Sequence, residues 1–283
     1  MAVPVNHGDA SPRAALEDIE LALLLEGLYR ARGDDFRAHE PAVMKPRLRA
    51  FMAEHGLATL SALQERALHD AAVGDALVYA LYVRPAAMFE HAPYQSALRT
   101  VARDLRSWPA PNVWLPECTS AEEVFSLAIL LEEEGLYGRS RIFVTHASHD
   151  MLALAMRGRF AAALMPAYEE NYRRAGGKAS LAAYCERQGD AFMIVPSLRQ
   201  NIVWAQSDLA SDASFNEFQL VLCQRAMKEF SHALRRRSLR VFDDSLSAFG
   251  ILSIDPQSEP ELNMVASRYK PLEPSLGLYR RLG

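Results

Sequence analysis

The sequence predicts an α/β chain in two parts: an all-α N-terminal module over residues 14–108, then a mostly parallel sheet with helices on both faces over residues 109–283. Two observations carry this. Apolar residues recur at helical spacing through the first hundred positions. After Pro109-Ala110-Pro111 the texture changes to short apolar, often β-branched runs separated by helix-length segments, the pattern of strands joined by right-handed crossovers.

The elements follow in order. Ser11-Pro12 is a start signal, and Leu16, Ile19, Leu23, Leu24 and Leu28 mark the face of a first helix that Gly33 ends. A second helix is predicted over Pro41–His55, with Val43, Met44, Leu48, Phe51 and Met52 apolar, Gly56 as its C′ residue and Pro46 as a kink or first turn. Shorter helical patterns lie at Ser61–His69 and Pro93–Leu105. Strands are predicted at Val113–Leu115, Ile142–Thr145, Ile202–Ala205, Phe218–Cys223 and Phe249–Ser253. The stretch between Gly158 and Ile202 is expected to be partly irregular. In such sheets ligands lie at the carboxyl ends of strands, so the loops after Leu115, Thr145, Ala205 and Cys223 are the candidate site.

Bulk properties narrow the function. A net charge of −4 on 283 residues excludes a polycation built for nucleic acid. Cys118, Cys185 and Cys223 are scattered without C-x-x-C spacing, which fits a reducing compartment and no disulfide framework. No apolar run approaches the roughly 18–20 residues of a membrane span, and no signal peptide precedes the first helix. A cytoplasmic protein without membrane insertion is expected. His146 and His149 lack a well-placed third ligand, so no metal is expected. Cys118 and Cys223 read as small buried residues, not nucleophiles. Arg235-Arg236-Arg237 and Arg240 read as a solvated helix face near a C-terminus, with a docking surface for an acidic partner or a nucleotide as the alternative.

The segment from Val113 to Ala128, VWLPECTSAEEVFSLA, resembles the signature V-W-x-A-G-C-S-T-G-E-E-x-Y-S-L-A of the CheR-type chemotaxis methyltransferases. Further blocks keep the family order. IFVTHASHDMLALAMRGRF (Ile142 to Phe160) is similar to I-x-A-T-D-I-(four)-L-x-x-A-R-x-G-x-Y, and Trp204 to Leu209 resembles F-x-x-x-N-L. FQLVLCQRAMKEFS (Phe218 to Ser231) resembles F-D-L-I-x-C-R-N-V-x-I-Y-F-x, Phe242 to Leu246 matches F-x-x-S-L, and Leu278-Tyr279-Arg280-Arg281 the final Y-R-R strand. Met88-Phe89-Glu90 and Ala97-Leu98-Arg99 parallel F-F-R and A-L-R. The resemblance implies a Rossmann-like class I methyltransferase domain behind the helical module. It also implies S-adenosylmethionine as cofactor and transfer of its methyl to glutamates of a chemoreceptor.

The departures fall where the family positions its cofactor. Glycines of the first loop are replaced by Glu117 and Ala121, while Cys118, Glu122 and Glu123 remain. The acid that accepts ribose hydroxyls is His146, a loss of about 1.5–3 kcal/mol for a charged acceptor. The F-F-R arginine is Glu90. The family's N-x-T is Arg84-Pro85-Ala86. The arginine and asparagine of C-R-N are Gln224 and Arg225, the tyrosine of I-Y-F is Glu229, and Asp208 before Leu209 replaces an asparagine. Together these losses reach on the order of 5 kcal/mol, enough to move a micromolar ligand into the millimolar range.

The resemblance therefore implies a pseudoenzyme: a CheR homologue that does not bind S-adenosylmethionine, has no catalytic residues and acts by binding a chemoreceptor or another signalling protein. An active glutamate methyltransferase with an altered cofactor site is the alternative. A third reading makes Arg84, His146 and Arg225 a cationic site for an anionic ligand such as a nucleotide, against which Glu90, Glu117 and Glu229 pull. The second helix keeps Lys45, Arg47 and Arg49 where the family meets its receptor. The insertion between Gly176 and Gly189 lies where some members carry a small β-subdomain, but no three-strand pattern is evident in it.

Overall fold

The computed structural model describes residues 12–214 and 216–283, so Ser11 of the predicted start signal lies outside the described residues. The chain divides into two compact units, with the break between Tyr82 and Val83.

Among the described residues the first unit has four helices: α1 (Pro12–Arg32), α2 (Pro41–Glu54), α3 (Leu60–His69) and α4 (Ala71–Tyr82). Its core gathers Leu24, Leu28, Phe36, Met44, Leu48, Leu63 and Leu77, all inaccessible to solvent. The first helix differs from the face that periodicity predicts. Leu21, Leu24, Leu25 and Leu28 are buried at the i, i+3, i+4, i+7 spacing of one face, while Leu16, Ile19 and Leu23 are more than half exposed. The residues singled out by periodicity straddle two faces, because apolar residues lie on more than one face of this helix. α2 runs unbroken through Pro46 and ends in a Schellman motif. Gly56 at φ +64 donates to Ala53 O and Leu57 to Met52 O. The cations of α2 are held within the unit: Lys45 lies 2.6 Å from Asp18, Arg49 2.7 Å from Glu17, and Arg47 donates to Leu81 O.

The second unit begins before α5 (Ala92–Asp104), a helix that the sequence pattern assigns to the N-terminal module. Leu98, Val101, Ala102 and Leu105 join one core with the strands that follow, and this burial decides its allegiance. Strands β1 (Asn112–Leu115), β2 (Arg141–His146), β6 (Ile202–Gln206), β7 (Phe218–Cys223), β8 (Leu246–Ile254), β9 (Tyr269–Glu273) and β10 (Leu278–Arg281) form one sheet. Their order is β6-β2-β1-β7-β8-β10-β9. The first five run parallel, and β10 is antiparallel to both neighbours. Helices α6 (Ala121–Glu133), α7 (His149–Met156), α8 (Met165–Arg174), α9 (Gln224–Met227) and α10 (His232–Ser245) lie between the strands in sequence.

Strand β1 shows why both faces are covered. Val113 and Leu115 point into the core shared with α5 and α6. Trp114, with the opposite pleat, packs 5.0 Å from Phe218 and edge-on to Phe242 of α10 at 5.6 Å. A strand buried on both sides reads as a continuous apolar run, as this one does.

The insertion is not irregular. β3 (Arg159–Ala161), β4 (Cys185–Gln188) and β5 (Ala191–Ile194) form a separate antiparallel sheet in the order β3-β5-β4. Its strands span three or four residues, and β4 is polar beyond Cys185, so no alternation betrays them. Just before β3, Gly158 sits at φ +54, and a Cβ there would lie 2.8 Å from the ring of buried Phe125. Gly158→Ala is therefore expected to destabilise by about 1–3 kcal/mol, read as a lower urea midpoint at unchanged m-value.

Arg236 and Arg240 are exposed, as expected of a solvated face, but the arginine run does not lie near a helix C-terminus. It occupies the first turns of α10, where the helix dipole disfavours cations. Long side chains reach back to acceptors instead. Arg235 Nε donates to Met227 O, and Arg237 donates to Leu209 O and Asp212 O in the loop after β6.

Candidate functional site

The loops at the carboxyl ends of β1, β2, β6 and β7 meet, as the strand order requires. Cys118 N–H donates to Thr145 O, and Ser207 N–H to His146 O. After Leu115 the chain turns through Pro116 and Glu117, and Glu117 adopts φ +50. For a residue with a Cβ this left-handed turn costs about 1–2 kcal/mol. Ser120 then caps α6, accepting from Glu123 N–H at 3.2 Å and donating to Glu122.

The turn aims Glu117 toward the end of β2. Its Oε2 lies 3.5 Å from His146 Nε2, and both side chains are buried. His146 Nδ1 accepts from Ser148 N–H at 2.8 Å, which leaves the ring proton on Nε2, facing Glu117. Burial raises the Glu117 carboxyl to about 8, against the pull of the Arg84 charge. At neutral pH Glu117 is thus mainly the protonated acid.

This has a pH consequence. A folded pKa raised from 4.5 to about 8 means that the folded state holds a proton the unfolded chain releases. The associated stability is complete below pH 4.5 and is lost as pH rises through 8. Relative to a Glu117→Gln variant, the protein is expected to lose on the order of 4 kcal/mol across that window, checked by urea denaturation at stepped pH. Parallel pH profiles would contradict it.

The other substituted positions also meet one another. Buried Arg84 donates to Glu117 O at 3.1 Å and sets its Nε 3.0 Å from the carboxylate of Glu229, also buried. Arg225 Nη1 lies 2.8 Å from Glu90 Oε2, and its other nitrogen donates to Pro85 O. Partial burial opposes ionisation of Glu90, but Arg225 outweighs it and holds the carboxyl below its usual value. Each of the three candidate cations, Arg84, His146 and Arg225, thus faces a carboxyl group, and the cationic site considered from the sequence is occupied from within.

Glu90 lies in a tight loop between Phe89 at φ +53 and His91 at φ +57, with Phe89 N–H bonded to Ser126 Oγ at 2.9 Å. Together with Ala86, Glu123, Gln224 and Arg225 it lines a cleft of about 50 Å³. Gln224 is tied to Ser253 Oγ and Leu276 O. Ala121 opens α6 and packs against the core. Asp208 accepts Ala210 N–H within its own turn, and Leu209 is buried with its N–H near the Glu117 carboxyl. Glu122 turns away from the cleft and accepts from Tyr168 Oη at 3.0 Å. The Cys118 and Cys223 thiols are pushed up by burial, and the Cys118 thiol donates weakly to Glu123 Oε2 at 3.8 Å. Tyr94 and Gln95 of α5 also line the cleft. Their only signal in the sequence is a place one helical turn before buried Leu98.

Comparison with known proteins fixes the family. The family model described as "CheR methyltransferase, SAM binding domain" matches residues 82–261, and "CheR methyltransferase, all-alpha domain" matches residues 19–82. The chain belongs to the CheR methyltransferase family. Among its relatives, the "Putative methyltransferase Cher3" of Pseudomonas putida is 36% identical over 265 residues, 93% of this chain and 97% of that protein. A "Chemotaxis protein methyltransferase" of Listeria innocua is 26% identical over 80% of this chain and 84% of its own. Among solved structures, the N-methyltransferase NodS of Bradyrhizobium japonicum aligns over 68% of this chain and 90% of its own, with a TM-score of 0.36 and 11% identity. The two CheR models meet at Tyr82, the same place at which the chain divides into compact units. No described helix of this CheR homologue is long and apolar enough to cross a membrane.

Proposed function

We propose that this chain is a catalytically degenerate CheR protein that acts by binding another protein of a chemosensory pathway. The observation that carries the reading is the contact of Glu117 with His146. The resemblance puts a glycine at the first position and a ribose-binding acid at the second. Here a side chain stands in the turn instead, and it reaches the group that replaced the acid. S-adenosylmethionine does not fit these residues. At the place of the ribose acceptor stands His146, and Glu117 occupies the turn where the motif has glycine.

A second support is the pairing of the substitutions. Isolated losses would leave orphaned charges, each costing several kcal/mol when buried. Arg84 with Glu229 and Glu90 with Arg225 instead replace ligand contacts by internal ones. The protein partner follows from the family and from the chemotaxis methyltransferases among the relatives. Calorimetric titration with S-adenosylmethionine is expected to give no saturable heat up to millimolar concentration. A dissociation constant in the micromolar range would overturn the proposal.

A further inference from the structure

Strand β8 departs from regular pairing at one place. Phe218 and Leu220 of β7 are two positions apart, but their partners Leu246 and Ile251 are five apart. The surplus forms a bulge, and within it Phe249 adopts φ +63 with its side chain 58% exposed. Both features oppose stability: a Cβ strains the left-handed region, and the ring is left largely in water. A residue unfavourable on both counts needs a contact elsewhere to account for it. The bulge lies toward the amino end of β7 and β8, whereas the loops of the cofactor motifs lie at the carboxyl ends of the strands.

Beside Phe249 is an open cavity of about 330 Å³ lined by Ala248, Ser267, Arg268, Arg281, Leu282 and Gly283. Leu282 is 45% exposed, and the Phe249 ring lies against the Gly283 backbone, 2.8 Å from where a Cβ there would stand. Leu282 N–H donates to Arg268 O, which ties the two walls together. Charge borders this apolar pair. Arg268 donates to buried Asp243, and Arg281 lies 3.7 Å from the same carboxylate. Two guanidiniums thus share one carboxylate, the side chain of Arg268 is more than half exposed, and no acidic side chain is among the described residues of the lining.

We infer that this surface docks an acidic segment of a partner protein: an apolar side chain of the segment fills the cavity against Phe249 and Leu282, and a flanking carboxylate pairs with Arg268. Charge selects the partner, because a two-fold contact centred here would bring Arg268 and Arg281 against their own equivalents in a second copy. The concavity suits an inserted side chain, which a flat lipid surface does not supply. The surface is separate from the cofactor site and stands whether or not that site takes S-adenosylmethionine.

The test is an NMR titration of the whole protein with acetyl-Asp-Glu-Leu-Phe-Asp-Glu-amide. Saturable shifts confined to the amides of residues 248–250, 267–268 and 281–283 are expected. Acetyl-Lys-Lys-Leu-Phe-Lys-Lys-amide and acetyl-Asp-Glu-Gly-Gly-Asp-Glu-amide should give none. Glycine takes φ +63 without strain, so Phe249→Gly keeps the bulge and is expected to weaken binding at least tenfold. Leu282→Ser, at a half-exposed position, should weaken it less and serves should the first variant fail to fold. No saturable response to the acidic peptide, an equal response to either control, or full binding by both variants would overturn the inference. Sedimentation velocity showing a dimer that Phe249→Gly abolishes would assign the surface to a second copy and overturn it too. So would co-sedimentation with phosphatidylglycerol vesicles that the same substitution removes.

Discussion

Replacing Arg84 with methionine is expected to destabilise the protein by about 3–5 kcal/mol, the usual result of stranding one member of a buried ion pair. Arg84 and Glu229 are 7% and 6% exposed, and the pair sits between the first and last loops of the site. Removing the guanidinium also leaves Glu117 O without its donor. Glu229→Leu alone should cost a similar amount, because it strands the guanidinium. The double variant is expected to recover most of the loss, since a buried ion pair and an apolar pair of similar volume differ little in net stability. Urea denaturation of the four proteins in a double-mutant cycle reads the coupling, expected to equal or exceed the loss of either single variant, about 3 kcal/mol or more. Additive losses would mean that the pair does not form in solution.

The second large effect concerns ligand binding. Restoring family residues one at a time is expected to create no affinity for S-adenosylmethionine, because each substituted group is held by another. Glu90→Arg alone would set two guanidiniums against each other, and His146→Asp alone would set a carboxylate beside Glu117. Reversal in pairs avoids both conflicts: Glu90→Arg with Arg225→Asn, Glu117→Gly with His146→Asp, and Arg84→Asn with Glu229→Tyr, together with Ala121→Gly. The combined variant is expected to bring the dissociation constant from above about 1 mM to the micromolar range, roughly 4 kcal/mol. Calorimetry reads it directly. Binding by any single reversal, or none by the combined one, would show that the pairing is not what excludes the cofactor.

Much of the fold is legible in the amino-acid sequence. The five predicted strands, the end of α2 at Gly56 and the family itself follow from local patterns: β-branched runs, a glycine where φ must be positive, and motif blocks in fixed order. Such features are set by neighbours along the chain. The failures share the opposite cause. The three short strands of the insertion pair residues as far apart as Arg159 and Met193 and carry no alternation of their own. Helix α1 is apolar on several faces, so periodicity alone does not select the one that is buried. Arg237 of α10 finds its acceptors, Leu209 O and Asp212 O, in the loop after β6, distant in sequence.

The pocket divides in the same way. By itself the sequence determined which positions depart from the CheR motifs it resembles and in what chemical sense, because substitution against a motif is a local comparison. Only the tertiary structure decided that the changes are partners: Arg84 meets Glu229, Glu90 meets Arg225, and Glu117 meets His146. Opposite groups brought from separate strand ends into a low-dielectric interior must neutralise one another or lose their charge. Which of them come within reach is fixed by the strand order and by the left-handed turn at Glu117, not by their spacing along the chain.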